Sequence, residues 1–150
     1  MKATAIPDSS TLIALEAIGQ LELLKELFDE IVIPKAVAEE TGIKPAWATI
    51  REAKAKAFPE VVKIKMGAGE TGAIAIAFEI TNPTLILDDK QARRIAKEMN
   101  FRITGVVGLL ITAKEEGLIP AIKPLLLRCK EKGFHLSETI IQQALARAKE

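Results

Sequence analysis

Five carboxylates in this sequence fall where oxygen ligands for a hard cation would be wanted. Asp8 directly follows one short apolar segment, and Asp88 and Asp89 directly follow another. Glu40 closes a helical stretch, and Glu70 opens one. Carboxylates gathered at one place repel one another, so some must take up a proton or move apart unless a positive charge joins them. Mg²⁺ or Mn²⁺ meets that need, because both favour oxygen ligands and keep several waters. Such a cation polarises a phosphoryl oxygen and lowers the pKa of a bound water, which is the chemistry of metal-assisted phosphodiester hydrolysis. Each acid also has a plainer use. Asp8 and Asp88 are placed to cap helices, Glu70 suits the positive end of a helix dipole, and one of Glu39 and Glu40 is solvated surface. Only their joint placement points to a site.

No covalent nucleophile competes with this chemistry. Cys129, the one cysteine, lies in a late helical stretch, where an unpaired cysteine is usually a small buried hydrophobe. His135 has no evident acid or serine partner for a triad. Lys90, Arg93, Arg94 and Lys97 recur at i, i+3, i+4 and i+7, so they share one face of the helix that begins at Asp89. That stripe suits contact with a phosphate backbone, although a charged outer face is also the ordinary solvated face of a helix.

The elements that must position these residues alternate between strand and helix patterns, the signature of a mostly parallel sheet covered by helices. Ala3–Pro7 reads as a first strand, followed by a helix ending at Gly19 and a second short helix over Leu21–Phe28. Ile31–Ile33 is a β-branched second strand, and Pro34 opens a helix through Glu40. Pro45 opens another helix to about Ala57, and Val61–Lys65 alternates as a half-exposed edge strand should. A strongly apolar helix runs over Glu70–Ile80, then a buried strand over Thr84–Leu87. Ala92, Ile95, Ala96 and Met99 give the next helix its stripe. Arg102–Thr104 is a last brief strand, before a helix over Gly105–Glu116 and a mainly helical stretch over Leu118–Lys132 whose first turn Pro124 should bend or delay. After Gly133, residues 133–150 hold a C-terminal amphipathic helix capped by Ser137. Ligands of open parallel sheets bind beyond the carboxyl ends of strands, where strand order reverses. If the first and fourth strands flank that point, Asp8 and the aspartate pair become neighbours, because adjacent strands lie about 4.8 Å apart.

The chain has 150 residues, 49% hydrophobic and 27% charged, with 21 basic and 20 acidic side chains and a net charge of +1. That is a globular balance suited to one domain over 1–150. Nucleic-acid binding must then come from a local patch, because the whole protein is not basic. A lone cysteine precludes an intrachain disulfide and fits a reducing cytoplasm. Met1–Ile6 is too short, and too soon followed by Pro7 and Asp8, for a signal peptide. No apolar run approaches the roughly 20 residues that span a bilayer, so no membrane partner is expected.

In order along the chain stand Asp8-Ser9-Ser10 with Leu12-Ile13, then Ile33-Pro34-x-x-Val37-x-x-Glu40. Gly69-Glu70 with Ala73-Ile74-x-x-Ala77 comes next, then Leu85-Ile86-Leu87-Asp88-Asp89-Lys90, and last Thr104-Gly105-x-x-Gly108-Leu109-Leu110. This order resembles the PIN-domain nucleases, over roughly residues 3–112, and the whole chain resembles a small prokaryotic, toxin-like branch of them. The resemblance implies a three-layer α/β/α sandwich around a central, mostly parallel sheet, and hydrolysis of single-stranded RNA with Mg or Mn. It matches Asp8 and Glu40 to the first two family acids, Glu70 to a position more often Asp, and Asp89 to the acid after the fourth strand. Asp88 has no fixed counterpart and stays a metal candidate. Ser9 and Ser10 match a hydroxyl position near the metal. Asp8 and Asp89 would then be direct ligands, with Glu40 and Glu70 holding metal-bound waters or a second ion. Many such proteins are the toxin of a toxin–antitoxin pair and form homodimers, so a cognate antitoxin, RNA and a second copy are the expected partners.

Two other classes compete. A catalytically weak PIN-fold module would bind RNA or a partner protein without cleavage, and Pro7 and Glu70 are the departures that favour it. A receiver- or phosphatase-type phosphoryl-transfer domain would want an acid two residues after Asp8, where Ser10 stands, or a lysine where Ile103-Thr104-Gly105 stands.

Overall fold

The computed structural model describes residues 3–54 and 68–150, with side chains described from residue 72 onward in the second stretch. Its five strands are β1 (Thr4–Pro7), β2 (Glu30–Pro34), β3 (Thr49–Arg51), β4 (Pro83–Ile86) and β5 (Arg102–Thr104). They form one sheet in the order β3-β2-β1-β4-β5, and every pair is parallel. The eight described helices are α1 (Ser9–Ala17), α2 (Leu23–Leu27), α3 (Lys35–Thr41), α4 (Ala68–Ala77), α5 (Lys90–Glu98), α6 (Val106–Glu115), α7 (Lys123–Glu131) and α8 (Glu138–Arg147).

Alternating strand residues explain the three layers, since successive side chains leave opposite faces of a sheet. Ala5, Ile31, Ile33 and Ile86 enter one core with α1, α2, α3, α6, α7 and α8. Ile6, Val32, Leu85 and Leu87 enter the other, with Ala73, Ile74, Ile76 and Ala77 of α4 and Ala92 and Ala96 of α5. Burying a large aliphatic side chain contributes about 1.5–3 kcal/mol, so these two clusters supply the main driving force for both layers. The fold is therefore the α/β/α sandwich expected.

One expected element is corrected. The helix from Pro45 does not form over its described part, because the chain turns at Trp47-Ala48 and Thr49–Arg51 becomes β3. Thr49 and Ile50 are β-branched and favour a pleated surface. Their register, Val32↔Thr49 and Ile33↔Ile50, extends the sheet beyond β2. The edge strand expected at Val61–Lys65 lies outside the described residues. Pro7 costs β1 little. The amide of Asp8 donates to the Ile86 carbonyl on β4 (3.0 Å), so the nitrogen of Pro7, one residue earlier, faces β2. Pairing on that side stops at Ala5↔Ile31.

The last helix packs on its own domain. Ile141, Ala144, Leu145 and Ala148 enter the first core, while Ile140 stays exposed. Ser137 caps this helix by accepting from Ile140 N at 3.1 Å. At its far end, Lys114 Nζ donates to the Ala148 carbonyl (2.6 Å) and to Glu150 Oε2 (3.0 Å). The Glu150 carboxylate also accepts from the amides of Ile122 (2.7 Å) and Lys123 (3.1 Å) at the start of α7. Arg128 Nη1 donates to the Ile18 carbonyl (3.1 Å), tying α7 to the end of α1. α1 and α6, which both start at the carboxyl edge of the sheet, are thereby braced from below.

The bonds at Glu150 outweigh the partial burial of its carboxyl and hold its pKa below the ordinary range. A depressed pKa stabilises the fold above the unfolded value and loses that contribution as pH falls through the folded one. Glu150→Gln should therefore lower the melting temperature at neutral pH, and parent and variant should converge in acid. A constant gap across pH would mean the charge contributes nothing.

Candidate metal centre

Strand order reverses between β1 and β4, and the register fixes what meets there. Pro7 pairs with Ile86 and Ile86 with Thr104, so one residue further on Asp8, Leu87 and Gly105 stand level at the carboxyl edge. Asp8 is fully buried. It caps α1, with Oδ1 accepting from Thr11 N at 2.8 Å, and Thr11 Oγ1 donates to the Ile86 carbonyl (3.2 Å). The other oxygen, Oδ2, accepts from the amide of Asp88 at 3.2 Å. Two residues from distant parts of the chain are thus joined directly.

The two aspartates after β4 divide the work in a way spacing does not show. Asp89, not Asp88, caps α5, its Oδ2 accepting from Ala92 N at 2.8 Å. Asp88 turns inward, with Oδ1 accepting from Val106 N at the start of α6 (3.4 Å). Asp88 keeps an open side to solvent, yet the crowding of its carboxyl by protein atoms raises its pKa, and the charge of Asp8 raises it further. The Val106 amide and Arg93 act in the opposite direction. Gly105 makes this closeness possible: a Cβ there would lie 2.7 Å from Asp88 Oδ1, a distance no side chain tolerates without displacing the carboxylate. At Gly108, one turn into α6, a Cβ would collide with Thr104 Oγ1, so α6 must also start close against β5.

The remaining expected residues are less tightly gathered. Ser9 is buried, and its Oγ has no hydrogen-bond partner, whereas Ser10 is exposed. Glu40 is exposed near the end of α3. Glu70 lies in the first turn of α4, but its side chain is outside the described residues. Two residues later a Cβ at Gly72 would lie 3.6 Å from Pro34 Cβ, so the start of α4 approaches the carboxyl end of β2. Among the described residues, no group of three or more Asp, Glu, His or Cys side chains is placed to hold a metal ion. Lys90, Arg94 and Lys97 are exposed on α5, while Arg93 is half-buried and donates through Nη1 to the Leu87 carbonyl at 2.8 Å. The reading of residue types missed this inward turn of Arg93, and nothing in an i, i+3, i+4, i+7 stripe separates one member from the others.

Asp8 and Asp88 nevertheless offer the oxygen chemistry that hard divalent cations take. The Asp8 and Asp88 carboxylates, the second disfavoured in its charged form, are both oxygen donors. Mg²⁺ is commonly held by only one or two carboxylates, with waters and substrate phosphate completing its shell.

Two outcomes follow for the unliganded protein. A raised carboxyl pKa gives stability that is present below the unfolded value and lost as pH rises through the folded one. Asp88→Asn should therefore raise the melting temperature at neutral pH, and the gain should shrink in acid. An equal gain at every pH would exclude charge repulsion as its cause. Gly105→Ala should push the Asp88 carboxylate aside and lower the exchange protection of the Val106 amide. The cost in stability should be small, because the atoms in the way are ends of flexible side chains. Parental protection would show that the carboxylate keeps its place.

A family model described as a PIN domain (DUF3368) matches residues 4–150. No curated protein matches the chain. PIN domains are generally nucleases and typically use divalent metal ions, in keeping with oxygen donors at the carboxyl edge of a parallel sheet. Matched over nearly its whole length, the chain belongs to the PIN-domain family.

Proposed function

We propose that this protein is a Mg- or Mn-dependent endoribonuclease that hydrolyses phosphodiester bonds of single-stranded RNA. The observation that carries the reading is the meeting of Asp8 and Asp88 at the point where strand order reverses. Asp8 and Asp88 would hold the metal, with Glu40 and Glu70 reserved for its water side or a second ion and the Ser9 hydroxyl as a further oxygen. The ion, when bound, supplies Lewis-acid polarisation of the scissile phosphate and a more acidic water. Lys90, Arg94 and Lys97, exposed on the helix that starts beside Asp88, would draw in and orient the RNA backbone. Cys129 takes no part: burial, and then the charge of Asp88, push its thiol pKa up, so it stays protonated. The choice of RNA follows the family resemblance, as does a toxin role with a cognate antitoxin and a second copy of the chain as partners.

A binding module without cleavage is the second reading. It is favoured by the number of groups gathered, since no three potential ligands come together among the described residues and both oxygens of Asp8 already accept hydrogen bonds.

A metal titration separates the two. Mn²⁺ or Mg²⁺ should raise the melting temperature, by mass action on the folded state, and should support cleavage of a single-stranded RNA panel. Asp88→Asn should abolish both effects while leaving the fold intact. Asp89→Asn should keep both, because Asn caps a helix about as well as Asp. The reverse pattern would give the ligand place to Asp89. A parent protein with a metal-induced shift and no cleavage would be the binding module.

A further inference from the structure

The basic face of α5 is not uniform. Lys90, Arg94 and Lys97 are exposed, whereas Arg93 folds back to donate to the Leu87 carbonyl at 2.8 Å. Leu87 immediately precedes Asp88, and its own amide donates to the Thr104 carbonyl on β5 at 2.9 Å. The peptide leading into Asp88 is thus pinned on one side by the sheet and on the other by the first turn of α5. A Cβ on Gly105 would lie 3.0 Å from Arg93 Nη1 and 2.7 Å from Asp88 Oδ1, so guanidinium and carboxylate press on the same bare stretch of backbone. They do not form an ion pair with each other. Arginine keeps its charge at any working pH and presents a planar fork of donors, so it can hold a carbonyl in place while adding a fixed positive charge near Asp88.

We propose that Arg93 is a positioning residue, which holds the turn between β4 and α5, and with it the carboxylate of Asp88, rather than a contact to substrate phosphate. The inference rests on reading the Asp8–Asp88 pair as the metal-binding, phosphodiester-cleaving centre. It separates Arg93 from its three basic neighbours on the same helix, which are left free to meet RNA. Residues that orient a ligand-bearing side chain change metal affinity or turnover by about 10–100-fold when removed.

The test uses the full chain with Arg93→Met, which keeps the aliphatic stem without donors, and Arg93→Lys, which restores one charged donor. Amide exchange of the metal-free proteins, followed by NMR, should show protection of the Val106 amide falling several-fold in Arg93→Met and partly returning in Arg93→Lys. The Mn²⁺-induced rise in melting temperature should shrink in the same order. On single-stranded RNA, kcat should fall by about 10–100-fold, with KM and the salt slope of RNA binding unchanged. Arg94→Ala should instead raise KM and flatten that slope by about 0.7. Unaltered Val106 protection in Arg93→Met would overturn the proposal, as would a raised KM and flattened slope at parental kcat, which is the behaviour of a phosphate contact. A parent with neither metal response nor cleavage would overturn the proposed activity alone, because the exchange measurement needs no metal and still decides whether Arg93 holds the turn.

Discussion

A single backbone donor, the amide of Asp88 bonded to Asp8 Oδ2, joins residues eighty positions apart and brings like charges together. At an effective dielectric of about 20, two like unit charges about 4 Å apart repel by about 4 kcal/mol. A hydrogen bond to a charged group contributes about 1.5–3 kcal/mol. The amides of Thr11, Asp88 and Val106 work against whatever repulsion the two acids feel. Two of the three are amides in the opening turns of α1 and α6, which also turn the positive ends of their dipoles toward the acids. The fold spends those helix ends, and the bare backbone at Gly105, on a constellation that works against stability.

This arrangement explains why the layer around α1, α6, α7 and α8 is so firmly tied. Glu150 and Lys114 fasten α6 to the start of α7 and the end of α8, and Arg128 fastens α7 to α1. If either α1 or α6 slid along the sheet by one residue, a carboxylate would lose its amide and face its neighbour uncompensated. Bracing at the far ends of the helices thus bears on geometry at their near ends.

Much of this was legible in residue types. Alternating β-branched and helical patterns located β1, β2, β4 and β5, and the position of Asp8 beside the acids after β4 followed from their places at strand ends. β3 was hidden because Pro45 is a strong helix-start signal, and a three-residue strand becomes stable only through pairing with β2, which local sequence does not display. Residue types gave the cap to Asp88 and the ligand place to Asp89, and the cap proves to belong to Asp89. Two adjacent aspartates offer the same chemistry, and which one caps depends on how far β4 runs before the chain turns. The inward fold of Arg93 depends on a carbonyl exposed at a strand end and on the absence of a side chain at Gly105, both properties of the assembled edge.

The strand order carries a consequence for how the molecule is divided. β1, β2 and β3 form one half-sheet and β4 and β5 the other, with the β1–β4 ladder as the seam between them. Each half owns one acid of the pair. A fragment from the first half would carry Asp8 without Asp88, and one from the second Asp88 without Asp8. Chemistry at this edge is therefore a property of the closed seam, and it arises only when two separately incompetent halves are zipped together.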